Sequence, residues 1–108
     1  MAYAIKDWDI HFENAKSRTI KKAAHVLMPN SHDGMIYSEI IKEKNAVDIF
    51  CGWVLIVQLA SKMPVRGILK NKYRDLTTQD MANMTGFPER IFKAATDYLI
   101  GTWIIKDT

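Results

Sequence analysis

The most regular hydrophobic pattern lies in the middle of the chain. The apolar side chains that recur there at helical spacing are Val47, Phe50, Val54, Val57 and Ala60. Trp53 and Ile56 extend this apolar surface around most of the helix circumference. Asn45 is a favourable N-cap, Asp48 lies where a carboxylate favours the positive end of the helix dipole, and Pro64 stops the helix. We therefore predict a central core helix.

The amino-terminal part of the chain contains shorter patterns. A helix over residues 6–15 is predicted from three apolar positions on one face, which are Trp8, Phe12 and Ala15. We expect a short extended segment over residues 23–28, followed by a turn that begins at Pro29. A further helix over residues 36–42 is predicted from Ile36, Ile40 and Ile41.

Two short runs favour β-structure. Residues 66–69 are too few for a helix between Pro64 and the polar residues 70–75, so we predict a short strand there. A strand needs a partner, and the other β-prone run in this part of the chain is residues 102–105. We predict that these two segments pair with each other.

The carboxy-terminal third begins with a strong helix-start signal. Thr77 with Asp80 three positions later resembles a capping box, and Leu76 with Met81 has the spacing of a hydrophobic staple. A helix should therefore begin directly after Thr77. It should end at Gly86, because glycine readily adopts the left-handed conformation that leaves a helix.

A second helix should follow almost at once, because Pro88 suits a first helical turn. Its apolar positions at helical spacing are Ile91, Phe92, Ala95 and Leu99. Its solvent-facing positions are Glu89, Arg90, Lys93 and Asp97. Two helices joined by about three residues make a helix-turn-helix.

The order of these elements predicts a mostly α fold with a small β-sheet, a winged helix-turn-helix. Little sequence follows the last predicted strand, so we expect a truncated wing, or the amino-terminal module of a longer protein. The 108 residues are too few for two independent cores. We therefore expect one domain, with a helical amino-terminal extension over residues 1–44 and a winged-helix core over residues 45–108.

Composition excludes several classes of protein. The longest apolar stretch is interrupted by Gln58 and is much shorter than the roughly 20 residues that span a bilayer. The amino terminus lacks a secretory signal pattern, so we expect a cytoplasmic protein without a membrane partner. Cys51 is the single cysteine, which excludes a disulfide framework.

No pattern in the sequence supports catalysis or metal binding. His11, His32 and Asp33 have no ligand-pair spacing, and no glycine-rich phosphate loop or nucleophile motif occurs. We expect no enzyme activity, no cofactor and no metal.

Positive charge is concentrated in two parts of a chain whose formal net charge is only +3. The first cluster precedes the helix-turn-helix and comprises Lys62, Arg66, Lys70, Lys72 and Arg74. The second lies near the amino terminus and comprises Lys16, Arg18, Lys21 and Lys22. Clustered cations favour contact with nucleic-acid phosphates, and Tyr73 within the first cluster is a candidate for stacking or for packing. The alternative for the first cluster is a polar connecting loop kept soluble by its charge. The alternative for the second cluster is that Ser17-Arg18 makes structural hydrogen bonds.

Two sets of residues resemble a known group of proteins. The first set is Leu76-Thr77-Thr78-Gln79-Asp80-Met81-Ala82, Thr85-Gly86-Phe87-Pro88-Glu89 and Trp103-Ile104. It is similar to the winged-helix amino-terminal modules of phage replisome organisers and related primosomal, DnaD-like loading proteins. The second set is similar to a leader of some phage replication-like proteins and comprises Trp8, Phe12-Glu13-Asn14-Ala15, Ser17-Arg18, Pro29-Asn30, Asp33-Gly34 and Trp53.

The resemblance implies a module that organises proteins on DNA at a replication origin. Double-stranded DNA is the expected partner, contacted by Arg90 and Lys93 of the second helix and by the two basic clusters. Glu89 and Asp97 lie on the same face as these cations, which weighs against base readout. The alternative is a module that self-associates or binds a replication or regulatory protein.

Overall fold

The computed structural model of the chain describes residues 2–14 and 34–107. Its elements, in chain order, are β1 (Ala2–Ile5), α1 (Trp8–His11), α2 (Met35–Ile40), α3 (Ala46–Ala60), α4 (Thr78–Thr85), α5 (Glu89–Leu99) and β2 (Ile104–Asp107). The predicted class, mostly α with a small β-sheet, is confirmed at this level. The extended segment predicted over residues 23–28 lies outside the described residues.

Helix α3 is the central helix, as predicted, and its buried face agrees with the predicted one except at its amino-terminal end. Ile49, Ile56 and Val57 are almost completely buried, whereas Val47 is 82% exposed. The side chain of Asn45 makes no capping hydrogen bond within the described part of the chain. The predicted positions Trp53 and Ala60 are buried as well, whereas Phe50 and Val54 are only half-buried. A run that is apolar all round does not indicate which side faces the core, and the prediction therefore missed Ile49.

Helices α3 and α5 pack closely against each other at Gly52. A Cβ atom at this position would lie 2.2 Å from the carbonyl oxygen of Ile91 and 2.9 Å from the Cβ of Ala95. Phe92 and Leu99 of α5 are fully buried on the same side. The absence of a side chain at Gly52 therefore allows the two helices to form most of the core.

Helices α4 and α5 form the predicted helix–turn–helix connection. The Oγ of Thr77 accepts a bond from the Asp80 N–H at 3.1 Å, and the Asp80 carboxylate accepts from the Thr77 N–H at 2.9 Å, so the capping box is present. Gly86 ends α4 with a φ of 79°. Pro88 occupies the N-cap of α5, one position earlier than predicted.

The predicted pairing of residues 66–69 with residues 102–105 is wrong, because β1 lies between these segments. On one side β1 pairs antiparallel with β2, with Ala4 opposite Ile105 and Ile5 opposite Ile104. On its other side the Ile5 N–H donates to the Gly67 carbonyl at 2.8 Å. Because Ala2, Ala4 and Ile5 are all buried, the start of the chain is an inner strand of this small sheet.

The predicted amino-terminal helix over residues 6–15 is reduced to the single turn of α1. Asp7 precedes it in the left-handed conformation, with a φ of 55°, and Phe12 already ends it. Trp8 and Phe12 nevertheless reach the core as expected, with their rings stacked at a centroid distance of 4.9 Å. These residues join the same hydrophobic cluster as α3 and α5.

Helix α2 is close to the predicted helix over residues 36–42, and only its Ile40 is fully buried. No helix in the described ranges is long and apolar enough to cross a membrane.

Candidate nucleic-acid interface

The polar run before α4 is a narrow β-hairpin over residues 69–76, which we call the basic hairpin. Its base is closed by the Leu76 N–H, which donates to the Leu69 carbonyl at 3.0 Å. Lys70 and Asp75 then pair as an antiparallel bridge. Leu69 and Leu76 are 0% and 4% exposed, so the base of the hairpin is anchored in the core while the rest projects outward.

The tip of the basic hairpin is fixed by Asn71. Its side-chain oxygen accepts from the N–H groups of Tyr73 and Arg74 at 2.8 and 2.9 Å, and its own N–H donates to the Arg74 carbonyl at 3.1 Å. This is the turn chemistry for which asparagine is favoured. Lys72 and Tyr73 are consequently held at the two central positions of the turn, and Tyr73 is 81% exposed.

Two lysines of the basic hairpin are available to an external anion. Lys70 and Lys72 are exposed, and within residues 2–14 and 34–107 neither forms an ion pair. The Lys72 ammonium lies 5.2 Å from the centroid of the Tyr73 ring. Lys62, shortly after α3, is also exposed. Such ammonium groups suit contact with phosphate oxygens.

Arg74 connects the basic hairpin to α4. Its guanidinium donates to the Asp80 carboxylate at 2.5 Å, while its own side chain remains 63% exposed. The hydrogen bond from the Thr77 backbone N–H is the largest effect on the pKa of Asp80 and lowers it from its ordinary value of 3.8. Burial opposes this effect, and the Thr77 hydroxyl and the charge of Arg74 lower the pKa further. The negative charge of Asp80 therefore serves both the helix cap and the hairpin.

Arg66 is used in a different way from the other predicted cations. Its guanidinium donates to the Glu13 carboxylate at 2.6 Å, and the two side chains are only 17% and 8% exposed. Glu13 also accepts from the Trp8 indole N–H at 2.9 Å. Arg66 thus fastens α1 to the sheet. Because its guanidinium is held in this mostly buried ion pair, Arg66 is poorly placed to contact a phosphate.

The exposed face of α5 carries both predicted cations, each beside an acid. Arg90 lies 3.4 Å from the Asp48 carboxylate of α3, and Lys93 lies 3.8 Å from the Glu89 carboxylate. Both cations are more than half exposed, at 72% and 61%. Exposed pairs of this kind contribute only about 0–1 kcal/mol, so a phosphate can replace either acid at little cost.

The second predicted basic cluster, formed by Lys16, Arg18, Lys21 and Lys22, lies outside the described residues. The same holds for His32 and Asp33. Within the described ranges, no group of three or more His, Cys, Asp or Glu side chains is placed to hold a metal ion.

Sequence reasoning identified the cations of this surface but missed the hairpin that presents them. The sequence did contain a signal for this hairpin. Leu69 and Leu76 flank a short polar run that contains Asn71, a residue favoured in tight turns. Reasoning also missed a cleft of about 510 Å³ beside the aromatic residues Phe12, Trp53 and Trp103. The rings of Trp53 and Trp103 pack against each other at a centroid distance of 5.0 Å.

Comparison of the chain with known proteins found no match. No protein-family model, no curated protein and no solved structure matches the chain. The function of the chain is therefore inferred from the geometry and charge of its own residues.

Proposed function

We propose that this chain is a winged-helix DNA-binding module of a phage or bacterial replication or regulatory protein. The order of elements supports this proposal. Helix α3, the short strand segment at residues 67–69, helices α4 and α5, and then β2 follow one another as in a winged helix, with β1 added to the sheet. The wing, in this proposal, is reduced to β2.

The observation that carries the proposal is the basic hairpin and its attachment to α4. In helix-turn-helix proteins the first helix crosses the DNA backbone while the second enters the major groove. The Arg74–Asp80 pair fixes the hairpin beside the first turn of α4. Lys70 and Lys72 then meet phosphates of the backbone that α4 approaches.

Helix α5 enters the major groove in this proposal without reading the bases strongly. Arg90 and Lys93 exchange their acidic neighbours for phosphates at the groove edge. Because Asp48 and Glu89 remain nearby, the net positive potential of this face is small. We therefore expect affinity to come mainly from phosphate contacts and to depend only weakly on sequence.

The test is a fluorescence-anisotropy titration of labelled DNA at several salt concentrations with a double variant, Lys70→Glu with Lys72→Glu. Each phosphate contact contributes about 0.9 to the slope of log affinity against log salt. Loss of both lysine contacts should therefore lower the slope by about 2 and weaken binding at low salt. The variant should keep its thermal unfolding midpoint, because both side chains are exposed.

The matched control is Lys42→Glu with Lys44→Glu, which changes the net charge equally at two exposed lysines between α2 and α3. Equal losses in both double variants would show that binding follows net charge and not the basic hairpin. Absence of wild-type binding at low salt would remove DNA as the partner. The alternative function, a module for self-association or for binding a replication protein, would then take its place.

The alternative function, a module for self-association or protein binding, is favoured by the surface around α5. The exposed face of this helix is nearly neutral, and apolar side chains lie beside it. Met84 and Phe87, at the end of α4 and in the turn, are 54% and 46% exposed. Exposed apolar side chains on a face without strong net charge are typical of protein contacts. In this alternative the same helix pair binds a second copy of the chain.

A further inference from the structure

The side chain of Tyr73 is more exposed to solvent than expected for a large aromatic ring. It is 81% exposed although it is a large aromatic residue, and it lies at the tip of a hairpin and not in an irregular loop. The two bonds accepted by Asn71 and the buried Leu69–Leu76 base hold the turn in one conformation. The ring is therefore presented to solvent by a rigid support, as expected for a residue whose binding partner is external.

The groups around the ring define the chemistry of that partner. Lys72 lies 5.2 Å from the ring centroid, and Lys70 and Arg74 occupy the flanking positions of the same hairpin. One cation beside an aromatic ring, with two more cations in the same hairpin, matches a ligand that has a flat π-system next to negative charge. Basic side chains combined with an aromatic stacking platform are the features that bind single-stranded nucleic acid.

We propose that Tyr73 stacks on an unpaired nucleobase, while Lys70, Lys72 and Arg74 hold the adjacent phosphates. This inference rests on the proposed DNA-binding function and deepens it. A base inside a duplex is already stacked on both faces, so the ring needs a base that is unpaired, as in single-stranded DNA or at the end of a duplex with a single-stranded tail. The basic hairpin would then direct the module to DNA that is opened or opening.

The first experiment compares three labelled DNA probes by fluorescence anisotropy with wild-type protein and two variants. The probes are a single-stranded oligonucleotide, its blunt duplex, and the duplex with a single-stranded tail. Substitution of a stacking aromatic residue by alanine costs about 1–3 kcal/mol per base, so Tyr73→Ala should weaken binding to the first and third probes roughly 5- to 150-fold. Tyr73→Phe should bind like the wild type, because it keeps the ring.

A third variant separates stacking from apolar contact. Tyr73→Leu keeps an apolar side chain without a π-face, so it should behave like Tyr73→Ala on probes with unpaired bases. None of these substitutions removes a cation, and the slope of log affinity against log salt should therefore stay unchanged. Because Tyr73 is exposed, all three variants should unfold at the wild-type temperature.

A direct readout is photo-cross-linking of a single strand that contains 5-iodouracil, followed by identification of the cross-linked residue. A cross-link at Tyr73 supports the proposal. Wild-type affinity of Tyr73→Ala for the single strand would overturn it, and so would binding restricted to the blunt duplex. Both results would leave the DNA-binding function intact, whereas failure of all three probes would contradict that function itself. Equal competition by polyglutamate of matched charge would also overturn the nucleobase contact.

Discussion

Two glycines determine how closely the elements of this protein approach one another. Gly52 is the contact point of α3 and α5, as described above. Gly67 has a φ of 93°, and a Cβ there would lie 2.6 Å from Cγ of Trp8. The close fit of the indole over Gly67 explains how a one-turn helix is held in place, together with the bonds that Glu13 makes to Trp8 and Arg66.

The substitution Gly52→Ala should destabilise the protein although alanine is the better helix former. The gain in helix propensity is about 1 kcal/mol, whereas overpacking costs typically about 1–3 kcal/mol and more when the clash is with backbone. The nearest atom is the Ile91 carbonyl oxygen at 2.2 Å, which cannot move without shifting α5. We expect a net loss of about 2 kcal/mol in the free energy of unfolding, measured by urea denaturation.

The double variant Gly52→Ala with Ala95→Gly distinguishes the two contacts. It removes the side-chain clash at 2.9 Å but leaves the backbone clash, so stability should not return. Gln58→Ala, at an exposed position of the same helix, is the surface control and should change stability by less than about 0.5 kcal/mol. Wild-type stability of Gly52→Ala would contradict the described packing of α3 on α5.

At the scale of the element, α4 depends on a residue that also positions the basic hairpin. Asp80 accepts from the Thr77 N–H and pairs with Arg74, so helix start and hairpin are coupled through one carboxylate. Helix α4 has only eight residues, and a helix of this length depends strongly on its cap and on tertiary packing. Met81 and Ala82 supply that packing.

The protein should lose stability in acid partly through Asp80. Its pKa is lowered in the folded state, so the charged form favours folding. The contribution is complete at pH values above the ordinary pKa of 3.8 and is lost as the pH falls through the lower folded value. Asp80→Asn should therefore unfold at a lower temperature than wild type at pH 7, and the difference should shrink as the pH approaches 2.5.

The measurement is the thermal unfolding midpoint of both proteins from pH 7 to pH 2.5 by circular dichroism. Asp97→Asn, at an exposed position of α5, serves as the carboxylate control and should follow the wild type. A constant difference between Asp80→Asn and wild type across this pH range would show that the charge of Asp80 does not stabilise the cap.

At the scale of the whole molecule, the first strand joins parts of the chain that are far apart in sequence. β1 contacts the segment at residues 67–69 on one edge and β2 on the other. The strand segment before the basic hairpin is therefore supported by the amino terminus. This connection continues as a series of adjacent aromatic rings, which belong to Trp8, Phe12, Trp53 and Trp103.

Ala4→Pro tests this arrangement, because Ala4 lies opposite both Ile68 and Ile105. Proline removes the N–H that pairs within the sheet, and an inner strand does not tolerate it. We expect a loss of about 2–4 kcal/mol in the free energy of unfolding. Ala4→Ser, which keeps the backbone N–H, should cost clearly less. Equal stability of the two variants in urea denaturation would show that β1 is not an inner strand.

The local signals of the sequence were sufficient for the carboxy-terminal helices. The capping box at Thr77 and Asp80, the left-handed Gly86 and the apolar spacing of α5 all involve residues within a few positions of one another. Their energies are set by the immediate neighbours along the chain, so the sequence shows them directly. The cations of the candidate interface could also be identified from the sequence, because the charge of a lysine or arginine side chain does not depend on which residue it contacts.

The sequence by itself therefore determined the helices of the helix-turn-helix, the class of fold and the positions of the cations. Tertiary structure alone decided that β1 enters the sheet, that Arg66 pairs with Glu13 across 53 positions, and that Tyr73 is held out at the tip of a hairpin. The physical reason is that strand pairing and buried ion pairs gain their free energy from residues distant in sequence. A short strand carries too little local preference to specify which distant segment it joins.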